Sequence, residues 1–118
     1  MGSLTYDGTV IQFEDRLLTH LQIVIVQKLT RGESFLMSWK DGVGVGDGRG
    51  SIWLAPSIPI YFKFVGGRVP SINQQWLIDL GKTAESSTGL IVTDEDGQLA
   101  TTDANDGPFP GDIRRQRR

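Results

Sequence analysis

The spacing of apolar residues changes from one part of the chain to the next, and this change limits the folds that are open to it. Between Asp15 and Thr30 apolar residues recur every third or fourth position, which is the period of one helix face. Between Ser34 and Lys40 the bulky residues of one face alternate with the rest, as in a half-buried strand. A second helical spacing follows over 71–84. Both helical and strand spacings occur, and several strands follow one another without a helix between them, which predicts an α+β domain.

About six short strands and two helices are predicted, in the order β-β-α-β-β-β-α-β. Asp7-Gly8 between two β-prone runs predicts a hairpin. Ser71 with Gln74 three residues later predicts a capping box at the start of the second helix, and Asp15 is predicted to cap the first. Short connections between consecutive strands predict an antiparallel or mixed sheet with both helices packed on it.

The chain of 118 residues has room for one domain, which its apolar residues place at 3–93. Residues 94–118 are predicted to form a flexible, disordered tail, because they offer few side chains to bury. In this tail the acidic residues precede the arginines, which are Arg114, Arg115, Arg117 and Arg118. Acids and bases balance within 1–93, so the formal net charge of −2 comes from the tail.

The composition excludes several kinds of site and predicts a cytoplasmic protein. Without cysteine the chain has no disulfide, no thiolate metal site and no cysteine nucleophile. The longest apolar run, 23–26, is far shorter than the roughly 18 residues of a membrane helix. His20 is the only histidine and is predicted to be structural or exposed. No metal ligand, cofactor or catalytic residue is therefore predicted.

The glycine-rich loop over 42–50 admits two interpretations. Its backbone N–H groups could cradle an anion, with Arg49 supplying positive charge. However, its spacing differs from the dinucleotide-binding fingerprint, and a strand rather than a helix is predicted to follow. Glycine also serves hairpin loops for conformational reasons alone, and this second interpretation is favoured.

The segment Lys40-Asp41-Gly42 is similar to the nucleotidyl-lysine motif of ATP-dependent DNA ligases, in which one residue separates the lysine from Asp-Gly. That intervening residue is missing here. The chemistry of the motif also needs carboxylates for a metal and further lysines for phosphates, which so short a chain can hardly supply. A solvated lysine at the end of a strand is the favoured interpretation of Lys40.

A longer resemblance is carried by short segments spread over 3–93. They are Leu-Thr-Tyr-Asp at 4–7, Phe-Glu-Asp-Arg at 13–16, Arg-Gly-Glu-Ser-Phe at 31–35, Ser-Trp at 38–39, Gly-Asp-Gly-Arg at 46–49, Ile-Trp-Leu at 52–54 and Pro-Ser-Ile-Pro at 56–59. The chain thereby resembles a family of small actinobacterial domains of unknown function that are often named ATP-dependent DNA ligase. The resemblance implies an actinobacterial source and one compact domain, and it brings no mechanism or catalytic residue.

The strands offer a candidate binding surface. If Trp39 lies opposite Ile52 in the pairing of 34–40 with 51–55, aromatic residues and lysines share one solvent-exposed face. The candidate binding residues, with the arginine of the glycine loop, are Lys40, Arg49, Trp53, Tyr61 and Lys63. A shift of one residue would place Trp39 opposite Trp53 and weaken this proposal.

Three functions are consistent with these residues. The favoured one is a non-enzymatic binding or assembly module that forms homo-oligomers through this sheet face or through the first helix, where Ile23 and Val26 lie outside the apolar face. The alternative is a nucleic-acid accessory protein that uses the aromatic and lysine residues and the tail arginines. It is less favoured because the neutral body lacks the charge that drives nonspecific affinity. The third is a nucleotide-dependent, ligase-like enzyme using Lys40, and no membrane partner is predicted.

Overall fold

Six strands and two helices occur in the predicted order, β-β-α-β-β-β-α-β. The computed structural model describes residues 1–42, 44, 46–100 and 102. The strands are β1 (Gly2–Tyr6), β2 (Thr9–Phe13), β3 (Phe35–Lys40), β4 (Arg49–Leu54), β5 (Ile60–Lys63) and β6 (Leu90–Ile91), and the helices are α1 (Asp15–Thr30) and α2 (Gln74–Ala84). The predicted α+β fold class is confirmed. Residues 103–118, predicted as flexible, lie outside the described residues.

The first sheet has the strand order β2-β1-β5 and is antiparallel throughout. β1 and β2 form the predicted hairpin, in which Asp7 and Gly8 have φ angles of 48° and 85°. Two successive residues with positive φ are what a tight hairpin turn of this twist requires. β5 pairs with the opposite edge of β1, so the two neighbours of β1 are far apart in sequence.

The second sheet has the strand order β4-β3-β6 and mixes strand directions. β3 and β4 form a hairpin around the glycine-rich loop, whereas β6 runs parallel to β3. The sequence suggested a single sheet, but the strands divide into two sheets because β5 pairs with β1 and not with β4. Pro56 and Pro59 stand between β4 and β5, and prolines interrupt strand pairing because they lack the N–H donor.

The core is formed by the inward residues of both sheets and by one face of each helix. Phe35, Met37 and Trp39 are buried on one side of β3, as their alternation predicted. The largest fully buried side chains are Phe13, Leu4, Leu18, Leu21, Ile25, Met37, Leu54, Leu80, Leu90, His20 and Val92. Within the described part of the chain, neither helix combines the length and the apolar character needed to cross a bilayer.

Asn73, and not Ser71, caps the second helix. Its side chain accepts a hydrogen bond from the backbone N–H of Trp76 at 3.1 Å. The predicted capping box is wrong because Gln74 is already the first helical residue, so Ser71 lies too far upstream to cap it. The predicted cap of α1 is also wrong, since Asp15 is the first residue of that helix.

The packed structure continues beyond the predicted boundary at 93. Thr93 and Leu99 form an antiparallel bridge, after which the chain runs beside the end of β3. The N–H of Lys40 donates to the carbonyl of Ala100 at 3.4 Å, and the N–H of Thr102 donates to the carbonyl of Lys40 at 2.9 Å. Ala100 and Thr102 are both buried. The structure differs here from the prediction because small residues can complete a sheet edge through backbone hydrogen bonds, without an apolar run in the sequence.

Candidate functional site

The solvent-facing side of the second sheet is formed by alternate residues of β3 and β4. The cross-strand pairs on this side are Leu36–Trp53, Ser38–Ser51 and Lys40–Arg49. We call these six residues the outer face. Trp53 leaves 60% of its surface exposed, so this face presents one large aromatic side chain to solvent.

The outer face changes in chemistry along the strands. At the hairpin end Lys40 lies opposite Arg49, and the Asp47 carboxylate lies 3.3 Å from the Lys40 ammonium. The carboxylate offsets the repulsion that two facing cations cause. In the middle row the hydroxyl oxygens of Ser38 and Ser51 are 2.8 Å apart. The third row is apolar, so the face offers a partner cations, hydroxyls and an aromatic ring in succession.

A groove of ≈ 890 Å³ adjoins the outer face on the β6 side. Ile91 of β6 and Leu99 of the 93–99 turn supply apolar surface to it, and Leu99 is 56% exposed. Lys40 and Arg49 line the groove from the hairpin. Sequence reasoning missed the role of Leu99, because the absence of a strand pattern placed this residue in the tail.

Three of the five predicted binding residues lie together: Lys40, Arg49 and Trp53 belong to the outer face. Tyr61 and Lys63 do not join them, because β5 belongs to the first sheet. The structure therefore divides the continuous face of aromatic residues and lysines that the sequence suggested. What remains on the outer face is one aromatic ring with two cations.

The strand register differs from the predicted one. Trp39 lies opposite Gly50, whereas the sequence suggested Ile52. A shift of two residues keeps every side chain on its own side of the sheet. Trp39 and Ile52 therefore still point toward the core, and Trp53 still points to solvent.

Tyr61 and Lys63 are part of a separate exposed surface on the first sheet. Tyr61 and Val10 flank Thr5 in one cross-strand row and are 57% and 58% exposed. Lys63 lies opposite Ser3 in the next row. This surface is chemically more uniform than the outer face, because its single ring and single cation lie among polar and β-branched side chains.

The glycine-rich loop closes on itself. The N–H of Asp41 donates to the carbonyl of Gly48 at 2.8 Å, and the N–H of Asp47 donates to the carbonyl of Gly42 at 3.0 Å. The N–H of Gly42 donates to the hydroxyl of Thr102 at 3.2 Å. These described donors are occupied within the chain, which supports the hairpin interpretation over an anion cradle.

His20 is fully buried and bonded through both ring nitrogens. Its Nδ1 lies 2.8 Å from the carbonyl oxygen of Arg16, and its Nε2 accepts from the N–H of Asn73 at 3.0 Å. A carbonyl cannot donate, so Nδ1 carries the proton and the ring is neutral. The ring stacks on Trp76, with centroids 4.4 Å apart. His20 therefore joins α1 to α2, and the described residues contain no group of three or more metal-ligating side chains.

Two groups of surface ion pairs connect α1 to the segments around residues 33 and 95. The Arg16 guanidinium bonds the Glu95 carboxylate and holds the pKa of that carboxyl below its usual value. The Lys28 ammonium lies 2.7 Å from the Glu33 carboxylate and likewise lowers its pKa. These groups fix the loops at 33 and 95 against the helix, which is a structural role.

A second apolar area lies on α1, where the sequence suggested an alternative interface. Val26 is 45% exposed and Ile23 is half-buried. They border a shallow depression of ≈ 500 Å³ together with Gln27 and Thr30. The area presents short aliphatic side chains among polar ones, in contrast to the indole of the outer face.

Comparison with known proteins places the chain in a family. No curated protein and no solved structure matches it. One family model does match, over residues 1–95, and its description is Domain of unknown function (DUF7882). This agrees with the predicted resemblance to an uncharacterised family of domains. Because the match covers most of the chain, the protein belongs to the family of the domain of unknown function DUF7882.

Proposed function

We propose that this domain is a non-enzymatic assembly module that binds a second copy of itself through the outer face and the neighbouring edge of β4. One observation carries the proposal: Trp53, on the outermost strand of the second sheet, leaves 60% of its surface in solvent. An aromatic side chain can bury about 150–250 Å². Covering the exposed part of Trp53 is therefore worth roughly 2–4 kcal/mol at about 25 cal/mol per Å².

The surroundings of Trp53 support an interface. Leu36 lies directly opposite it on the same side of the sheet, so the indole extends an apolar row rather than standing alone. Cations and hydroxyls border this row at the hairpin end. An apolar centre with a polar border is the usual composition of a protein interface, and tryptophan and arginine are enriched there.

A second copy fits this surface better than nucleic acid does. Nonspecific affinity for nucleic acid comes from several phosphates neutralised at once. The outer face has two cations, and Asp47 already pairs with Lys40. The additional ring and lysine that the sequence suggested for stacking, Tyr61 and Lys63, lie on the first sheet.

Sedimentation equilibrium over a wide range of concentration tests the proposal. The expected result is a mass that rises from one chain, 13.0 kDa, toward twice that value. The variant Trp53→Thr keeps a strand-forming residue and removes the indole. It should weaken association about tenfold or more, as expected for a residue at the centre of an interface.

Val26→Gln is the matched control, because it replaces the exposed apolar residue of α1 with a good helix former. It should associate like the unmodified chain. Loss of association in Val26→Gln but not in Trp53→Thr would transfer the interface to the helix. A mass of one chain at every concentration would refute self-association.

The other two functions make separate predictions. A nucleic-acid accessory protein would retain a fluorescent single-stranded oligonucleotide at low salt and release it steeply as salt rises. A ligase-like enzyme would form a covalent adduct on Lys40 with labelled ATP and magnesium, visible after denaturing electrophoresis. The assembly module is expected to do neither.

A further inference from the structure

The free edge of β4 carries the backbone groups of three particular residues. The N–H of Asp41 bonds the carbonyl of Gly48 across the hairpin, and in an antiparallel pair the residues that bond the partner strand alternate with those that face away. Residues 50, 52 and 54 therefore point their N–H and C=O groups toward β3. Those of Arg49, Ser51 and Trp53 point away from it.

The opposite edge of β3 confirms this alternation. The carbonyl of Ser38 accepts from the N–H of Val92, and both backbone groups of Lys40 bond the stretch 100–102. Ser38 and Lys40 thus turn away from β4. Their partners Ser51 and Arg49 must in turn face away from β3. No other described strand pairs with this edge of β4.

We propose that β4 pairs antiparallel with β4 of a second copy, with Ser51 on the twofold axis, so that Arg49 of each copy lies opposite Trp53 of the other. This inference rests on the proposed function and adds the register of the contact. The side of the sheet to which each residue points must be preserved across the new pair. Only registers that place odd-numbered residues opposite odd-numbered residues satisfy this condition and the outward direction of their backbone groups.

Occupied backbone groups disfavour the two neighbouring registers, because each of them loses its outermost pair. A register centred on Ile52 would place Arg49 opposite Ala55, whose N–H already donates to the Tyr6 hydroxyl at 2.8 Å. A register centred on Gly50 would place Trp53 opposite Asp47, whose N–H donates to Gly42 at 3.0 Å. The register centred on Ser51 uses strand residues alone, and each facing pair exchanges two hydrogen bonds.

Side-chain chemistry favours the same register. Arg49 and Trp53 of the other copy would be direct cross-strand neighbours on the outer face, where a guanidinium can lie over an indole ring. The symmetry makes this contact twice. It also gives Arg49 a partner that its own chain does not provide among the described ion pairs. β4 contains no proline and no acidic residue that would block pairing at its edge.

Amide hydrogen exchange followed by NMR on the full chain tests the register. In dilute solution the amides of Arg49, Ser51 and Trp53 should exchange fast, while those of residues 50, 52 and 54 are protected by β3. When about nine-tenths of the chains are paired, exchange at the three outward amides should slow about tenfold, because only the free tenth exchanges.

Each alternative result has a definite meaning. Protection at Ser51 and Trp53 without Arg49, or at Arg49 and Ser51 without Trp53, would overturn the proposed register. A doubled mass with all three amides still fast would overturn edge pairing and leave self-association standing. A mass of one chain throughout would overturn both.

Two variants at the axis provide a second readout. Ser51→Pro removes an N–H that points away from β3, and proline is tolerated on an edge strand at such a position. This variant should weaken association by tenfold or more, while its NMR spectrum remains that of a folded chain. Ser51→Thr retains the N–H and should associate like the unmodified chain. Equal association of the proline and threonine variants would contradict the pairing.

Discussion

Gly50 of β4 lies directly opposite Trp39 of β3, and the indole of Trp39 covers the place where a side chain at residue 50 would be. A Cβ atom there would lie 2.6 Å from Cζ2 of the ring, closer than ordinary contacts allow. The ring is held in place because its N–H donates to the Asp41 carboxylate at 2.9 Å and because Phe13 meets it edge-on. This contact packs β4 against β3 on the core side of the second sheet, directly beneath the outer face.

Gly50→Ala should therefore destabilise the domain by about 1–3 kcal/mol, the usual cost of overpacking. Gly48→Ala is the matched control from the same hairpin, because a Cβ atom at residue 48 would have no neighbour within 4 Å. It should change the free energy of unfolding by less than about 0.5 kcal/mol. Urea denaturation measures both, and equal effects would show that Trp39 yields to a side chain at residue 50.

Local chemistry made most of the fold predictable from sequence. The φ angles of Asp7 and Gly8 are a property of those two residues and their neighbours. The faces of β3 and α1 follow from apolar spacing alone. Even the wrong register of β3 and β4 preserved the exposure of Trp53, because an even shift leaves the sides of a sheet unchanged.

Contacts between distant segments could not be predicted in this way. β1 pairs with β5, which lies more than fifty residues away in sequence. Local sequence patterns do not specify such a long-range pairing. The same holds for Ala100, which is buried beside Lys40 although the surrounding sequence is polar. The division of Tyr61 and Lys63 from the outer face is a direct consequence of the first of these contacts.

A stability measurement can decide between the cap of α2 seen in the structure, Asn73, and the cap predicted from the sequence, Ser71. Asn73 accepts from the N–H of Trp76, and its amide also donates to Glu95 at 2.8 Å. Asn73→Ala should cost about 1–2 kcal/mol, as loss of a helix cap usually does. Ser71→Ala should cost less than about 0.5 kcal/mol, because within the described part of the chain Ser71 is bonded through its backbone carbonyl, by Arg16, and not through its hydroxyl. Thermal unfolding of both variants decides; the reverse order would restore the capping box.

Asp15 predicts how stability depends on acid pH. Its carboxylate accepts from the N–H of Gly66 at 2.7 Å and from that of Val65, and these bonds hold the pKa of Asp15 below its usual value. Because the pKa is lowered by folding, the stabilisation is complete above the ordinary aspartate value of about 3.9. This stabilisation is lost as the pH falls through the lower pKa that Asp15 has in the folded chain.

Asp15→Asn should accordingly be less stable by about 1 kcal/mol at neutral pH, a figure reduced for solvent exposure. The difference from the unmodified chain should shrink as the pH falls through the lowered folded pKa of Asp15, because the protonated carboxyl is uncharged like the amide. Asp79→Asn is the control, since Asp79 accepts from the side chain of Gln75 on the surface of α2. Urea unfolding across this pH range gives the comparison, and a constant difference at all pH values would contradict the role of the Asp15 charge.

Ala100 and Leu99 test where the domain ends. Ala100 keeps 7% of its surface exposed, whereas its neighbour Leu99 keeps 56%. Ala100→Glu would force a carboxylate into the edge beside β3 and should cost at least about 2 kcal/mol. Leu99→Glu places the same group in solvent one residue earlier and should change stability by less than about 0.5 kcal/mol. If both variants unfold at the same urea concentration as the unmodified chain, the burial of Ala100 does not stabilise the domain, and the result favours the boundary predicted from the sequence. A large loss confined to Ala100→Glu would instead extend the domain to Thr102, because the buried alanine and the hydrogen bonds of Lys40 belong to one sheet edge.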